Sequence, residues 1–118
     1  MSEYFSHEPI ATISILFGGI LILVGILFKI KPPRKINSIY GYRTVRSMKD
    51  QAHWDFAHQY SANVSIYLGL ASMAAAPIGW QLELSEIAET LIGVAWMIII
   101  CFALFNRTEK AIKKKFEE

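Results

Sequence analysis

The sequence is poor in cysteine and in charge, and each scarcity excludes a class of protein. Cys101 has no second cysteine with which to form a disulfide within the chain, and we expect its thiol to act as a small hydrophobic side chain. Charged residues make up only 19% of the 118 residues. They are missing from three long runs, Ile10–Phe28, Gln59–Gln81 and Thr90–Asn106, so too little sequence remains for the core of a soluble enzyme. The net charge of +2 is too small to indicate direct binding of nucleic acid.

The three uncharged runs have the length of membrane-spanning helices, which need ~20 mostly apolar residues to cross the hydrocarbon core of a bilayer. We therefore predict an all-α fold, a single domain of three transmembrane helices with spans of about 10–29, 59–80 and 88–106. Residues 30–58 connect the first two spans. No basic residue precedes the first span, as one would in a secretory signal peptide, so we expect this helix to be retained.

Prolines and capping residues indicate where the helices begin and end. Pro9 suits a first helical turn, and Pro32 cannot continue the first helix. The second helix is predicted to begin well before its apolar part, because the segment 47–50 offers N-cap oxygens and no breaker follows from Gln51 until Pro77.

The basic tail after the third span has two interpretations. Phe105, Ile112 and Phe116 share one helical face, away from most of the lysines. The tail is either an amphipathic helix that lies against anionic headgroups or a solvated, partly frayed end that only fixes orientation.

All 12 Lys and Arg residues follow the first or the third span. The N-terminal tail has none, and the turn between the second and third spans carries Glu83, Glu86 and Glu89 instead. Short loops rich in Lys and Arg stay in the cytoplasm. We therefore predict that the N-terminus lies outside and that residues 30–58 and the C-terminus are cytoplasmic.

Small residues line one face of each of the first two predicted helices, which lets the two backbones approach closely in lipid. On the first helix they include Gly18 and Gly25, and on the second Ser65 and Gly69. The second face continues through His58 to Trp54. We interpret His58 as a polar packing group; a proton relay is the alternative, because ionisable groups inside a bundle are often functional.

The segment between the first two spans alternates turn formers with aromatic residues and arginines. Gly41 permits a positive φ, and Arg43 and Arg46 each carry a planar fork of donors that can bind a phosphate. Arg43 is the candidate for an anionic or backbone-carbonyl partner. One hypothesis is a binding site for a phosphate, lipid or peptide; the other is a loop that only anchors the protein at the interface. The candidate site residues are Asn37, Tyr40, Gly41, Tyr42, Arg43, Thr44, Ser47, Trp54 and His58.

No constellation of residues indicates catalysis, a metal or a cofactor. His53 and His58 lie about 140° apart around a helix, so they do not converge on one metal ion. Ser47 and Ser61 lack the partners of a nucleophilic serine.

The candidate site residues between Asn37 and His58 resemble the signature of the SdpI family of small bacterial membrane proteins. The resemblance covers roughly 31–69, and its most specific part is the Gly-x-Arg-Thr step at 41–44 with a downstream Trp54. The family is named for an immunity protein that protects bacteria from a secreted peptide toxin and that also resembles a receptor for a cytoplasmic repressor. In contrast to that founding member, which has an additional N-terminal membrane region, we expect this protein to be a stand-alone relative with the signature domain alone. Ile36 stands where many relatives have proline.

The resemblance implies a non-enzymatic, multi-pass protein of the bacterial inner membrane, with a peptide toxin or a cytoplasmic regulator as its partner. Two alternatives stay open: a small transport or proton-coupled protein that uses His58, and a structural subunit of a membrane complex. Three helices enclose little interior, so a homo-oligomer is compatible with each of these functions.

The charge pattern makes a direct prediction about topology. A reporter that is active only in the cytoplasm should work when fused after Glu118 or inserted near Ser38, and it should fail at Ser85. Reporter activity at Ser85 would overturn the assignment of the cytoplasmic side.

Overall fold

The computed structural model describes residues 9–117, and the described chain is helical without a β-strand. The four helices are α1 (Pro9–Ile30), α2 (Gln51–Ala74), α3 (Ala76–Trp80) and α4 (Glu86–Glu117). Three helical stretches are long and apolar enough to cross a membrane: α1, α2 together with α3, and α4. The predicted all-α architecture with three spanning helices is therefore confirmed.

The helix ends follow local chemistry. Asp50 is extended, and its carboxylate accepts a hydrogen bond from the His53 backbone N–H at 2.9 Å, which caps α2 and lowers the pKa of Asp50 below its ordinary value. At the other end of α2, Pro77 lies in the first turn of the short helix α3, and the second span is interrupted at Ala75. Ser85 caps α4 by accepting the backbone N–H of Ala88 at 3.1 Å.

Helix α4 is much longer than its apolar run. Its 32 residues extend for about 48 Å, whereas the hydrocarbon core of a bilayer is ~30 Å thick. The helix continues without a break from Asn106 to Glu117. The basic tail therefore prolongs the third span as a helix.

The tightest packing in the molecule joins α1 to α2 through their glycines. A Cβ atom on Gly18 would lie 2.6 Å from the carbonyl oxygen of Gly69, and a Cβ on Gly69 would lie 2.6 Å from that of Gly18. Two buried serines of α2 donate across the same interface, Ser65 to the Leu21 carbonyl at 2.7 Å and Ser72 to the Ser14 carbonyl at 2.9 Å. Side-chain hydrogen bonds and close van der Waals contact therefore join helices that lipid cannot drive together.

Helix α4 packs against this pair with fewer buried residues. Gly93 lies against Ile13 of α1, and the indole N–H of Trp96 donates to Ser72 Oγ at 3.0 Å. Ser72 thus connects all three spanning helices. Much of the opposite face of α4 is apolar and exposed, including Ile98 and Phe102, as a lipid-facing surface requires.

The glycine contact predicts a sharp difference between two adjacent positions of α1. Gly18→Leu should lower the free energy of unfolding in detergent by at least about 1–3 kcal/mol, because the new side chain meets the α2 backbone. Gly19→Leu is the matched control, since no atom outside its own helical surroundings lies within 4 Å of a Cβ at that position. Equal stability of the two variants in a denaturant titration would contradict the α1–α2 contact.

Candidate functional site

A buried chain of hydrogen bonds holds the motif loop, residues 31–50, onto the start of α2. The fully buried indole of Trp54 donates its N–H to the Pro33 carbonyl at 2.6 Å. One turn later, His58 Nδ1 lies 2.8 Å from the Trp54 carbonyl, and His58 Nε2 lies 2.9 Å from the backbone nitrogen of Tyr42. The Tyr42 N–H can only donate, so Nε2 must be the acceptor and Nδ1 must carry the proton. Both nitrogens of a neutral His58 are thereby occupied in holding the loop.

Gly41 is required for this attachment. Its φ of +120° is one that L side chains rarely adopt, and a Cβ there would lie 2.6 Å from His58 Nε2. The glycine therefore lets the backbone turn and approach the imidazole at the same point.

Tyr42 attaches the motif loop to α4 as well as to α2. Its hydroxyl donates to Glu109 Oε1 at 2.8 Å, and Arg46 Nη1 lies 3.3 Å from Glu109 Oε2. A second, looser ion pair joins Arg46 Nε to Glu117 Oε1 at 3.6 Å. Burial, and then the adjacent Glu109 carboxylate, raise the pKa of Tyr42 well above its ordinary value, so the phenol stays a donor.

Thr44, Ser47 and Asn37 shape the motif loop from within. The Thr44 N–H donates to Ser47 Oγ at 2.8 Å, the Ser47 N–H donates to Thr44 Oγ1 at 3.1 Å, and Ser47 Oγ donates to the Tyr42 carbonyl at 2.9 Å. At the other end, Asn37 Oδ1 accepts the N–H groups of Ile39 and Tyr40 at 2.9 and 2.8 Å. These local bonds satisfy backbone groups that helices or strands would otherwise pair.

The last turns of α4 dock on the first turn of α2. Ile112 is fully buried, and the Phe116 ring stacks on His53 with centroids 3.9 Å apart. Two residues of the apolar face of the tail, Ile112 and Phe116, therefore pack against protein. The same contact uses His53 in packing, with its Nδ1 2.6 Å from Asp50 Oδ1. Within residues 9–117, no group of three or more His, Cys, Asp or Glu side chains could hold a metal ion.

The outer surface of the motif loop carries the residues that this framework leaves free. Ile39 and Val45 are 85% and 93% exposed, and Tyr40 is about half exposed. Arg43 is also exposed, and it makes no hydrogen bond or ion pair with any residue that the structure describes. Of the nine sequence-predicted site residues, only Tyr40 and Arg43 are exposed; the others line or shape the interior of the loop.

Sequence reasoning missed Arg46, Glu109 and Glu117 as partners. The sequence predicts for Arg46, as for Arg43, a fork of donors that can bind a phosphate, and it does not indicate an ion pair with α4. The available signal was a pair of carboxylates, eight residues apart, in a tail otherwise dominated by lysine. Nothing in the sequence pairs that tail with Arg46, which lies 63 residues before Glu109.

Replacing Gly41 tests the attachment of the motif loop. Gly41→Ala should strain the backbone by about 1–3 kcal/mol and push the loop from His58, so trypsin should cleave after Arg43 and Arg46 faster than in the wild type. Gly19→Ala adds the same methyl group in open space and should leave cleavage unchanged. Equal cleavage of Gly41→Ala and wild type would show that the loop does not need this contact.

Comparison with known proteins agrees with these features. The model of a family described as the SdpI/YfhL protein family matches residues 34–105, which include most of the motif loop, all of α2 and the apolar part of α4. The protein YfhL of Bacillus subtilis (strain 168), itself described as uncharacterized, is 44% identical over 96 residues, which cover 81% of this chain and 82% of that protein. No solved structure matches the chain. The resemblance seen in the sequence is confirmed: the chain is a membrane protein that belongs to the SdpI/YfhL family.

Proposed function

We propose that this protein is a non-enzymatic protein of the bacterial inner membrane that acts in peptide-toxin immunity or in the signalling linked to it. Its working surface is the outer side of the motif loop, formed by Ile39, Tyr40, Arg43 and Val45. The observation that carries the proposal is the contrast between Tyr42 and His58, whose polar groups are hydrogen-bonded inside the loop, and the exposed Arg43, which has no such partner among the described residues.

The exposed residues have the composition of a protein-binding surface. Aromatic residues and arginine are enriched in interfaces, and two large aliphatic side chains this exposed lose contact with water when a partner covers them. The hydrogen bonds beneath fix the loop before binding, so little ordering is needed when the partner arrives. A partner that offers a carboxylate or several carbonyl oxygens would suit the planar fork of Arg43.

The charge distribution supports placing this surface in the cytoplasm. All 12 Lys and Arg residues lie in the motif loop, at its borders or in the last turns of α4, at one end of the bundle. We call this the basic end of the bundle. A loop on the cytoplasmic side favours a cytoplasmic regulator as its direct partner. A toxin would then bind the membrane part of the protein and change the binding of the regulator to the loop.

The bonding of His58 argues against the proton-coupled alternative. A relay needs a ring nitrogen that can gain and lose a proton, but Nδ1 and Nε2 are both engaged. Protonation of Nε2 would also remove the acceptor of the Tyr42 N–H. His58 serves the proposed function by positioning the loop.

A survival assay with matched arginine variants tests the proposal. The gene is expressed in a toxin-sensitive bacterium, the cells are challenged with candidate secreted peptides, and protein abundance in the membrane is measured beside survival. Arg43→Lys should leave abundance unchanged but weaken partner binding about tenfold or more, because lysine keeps the charge and loses the fork. Protection should fall accordingly.

Arg46→Lys is the control on the same loop. Its ion pairs are long and partly exposed, and lysine can keep most of their attraction, so survival should stay near that of the wild type. Full protection by Arg43→Lys, or an equal fall in abundance for both variants, would show that the loop only anchors the protein at the membrane surface and holds no specific binding site.

A further inference from the structure

Helix α4 sorts its charges onto two sides at the basic end of the bundle. Glu109 and Glu117 face the motif loop, where they pair with Arg46. The cations Arg107, Lys110 and Lys114 follow a helical spacing of three and four residues, and they line a cavity between α4 and α2. The carboxylates thus form ion pairs on the side that faces the motif loop, and the cations on the cavity side have no carboxylate partner in the part of the chain that the structure describes.

This cavity has a volume of about 870 Å³, and no acidic side chain of the described residues lines it. Arg107, Lys110 and Lys114 form no ion pair or hydrogen bond with any residue in 9–117. The adjacent cavity of about 770 Å³ differs, because its lining includes Asp55 beside its basic residues. Like charges gathered in one cavity repel each other unless an anion binds between them.

The remaining lining residues add aromatic surface and neutral hydrogen-bonding groups. Phe56 and Tyr60 stack with centroids 5.8 Å apart, and Lys115 Nζ lies 4.7 Å from the centre of the Phe56 ring. The Asn106 amide and the Tyr60 hydroxyl supply further donors. Such a lining suits a ligand that is anionic at one end and apolar beside it.

The position of the cavity identifies the source of the anion. Asn106 is the last residue of the uncharged run of α4, so the cavity opens at the level where headgroups begin. One and two turns earlier on this side of α4, Phe102 and Ile99 are 66% and 61% exposed. An acyl chain that descends from the cavity would therefore run along apolar protein surface.

We infer that the cavity between Phe56, Tyr60, Arg107, Lys110 and Lys114 binds the phosphate of an anionic phospholipid, whose acyl chains lie along α4. This site shares no residue with the motif-loop surface and does not depend on the proposed immunity or signalling function.

Lipid retention by the full-length protein in nanodiscs tests the inference. Wild-type protein, released into detergent and measured by native mass spectrometry, should retain phosphatidylglycerol in preference to phosphatidylcholine. Lys110→Gln combined with Lys114→Gln should lower the affinity for phosphatidylglycerol by about tenfold or more. Arg107→Gln, a second variant in the same cavity, should also lower the affinity for phosphatidylglycerol.

The charge-matched control combines Lys49→Gln with Lys113→Gln, which removes two exposed lysines at the same end but outside the cavity. It should retain phosphatidylglycerol like the wild type. An equal loss in this control would show diffuse attraction of the basic end to anionic lipid and overturn the site. Displacement of the lipid by millimolar inorganic phosphate would also overturn it, since a free anion would then satisfy the cavity without the acyl chains.

Discussion

The hydrogen bond from the Tyr42 backbone N–H to Nε2 of His58 fixes the part of this protein on which the proposed function rests. It requires a neutral imidazole with its proton on Nδ1, which the Trp54 carbonyl secures, and it requires Gly41, because no other residue leaves room for the ring. Once Tyr42 is held, its side chain reaches Glu109 of α4. The backbone and the side chain of Tyr42 thus link the loop, α2 and the long extension of α4 into a single unit at the basic end.

Below that unit, the bundle is held together by polar and steric features suited to lipid. Gly18 and Gly69 bring two backbones together, and Ser72 connects three helices through one hydroxyl. Hydrophobic burial cannot supply this association, because lipid is as apolar as the side chains it would replace. The bulky residues of α4 therefore stay outside, facing the bilayer.

The features that the sequence predicts correctly depend on residues close together in the chain. Three uncharged runs predict three spans, and the capping residues at 47–50 predict that α2 begins before its apolar part, as it does at Gln51. Helical period also groups Trp54 and His58 on one face. The helical period does not show which part of the chain covers that face. The sequence therefore places Trp54 in an open binding site, although its indole N–H is hydrogen-bonded to Pro33.

The contacts that the sequence does not predict join residues that are distant along the chain. Glu109 and Phe116 look like parts of a basic tail until folding brings them to Tyr42 and His53, more than 60 residues earlier. The break at Ala75 also escapes prediction, since Pro77 can begin a helix as well as end one.

The protonation state of the His58 ring in a lipid bilayer decides whether the motif loop is held in this way, and ¹⁵N nuclear magnetic resonance can observe it. We predict a neutral ring at neutral pH, with the proton on Nδ1 and with a scalar coupling between Nε2 and the Tyr42 amide across their hydrogen bond. A ring protonated on Nε2, or the absence of any coupling to Tyr42, would contradict it.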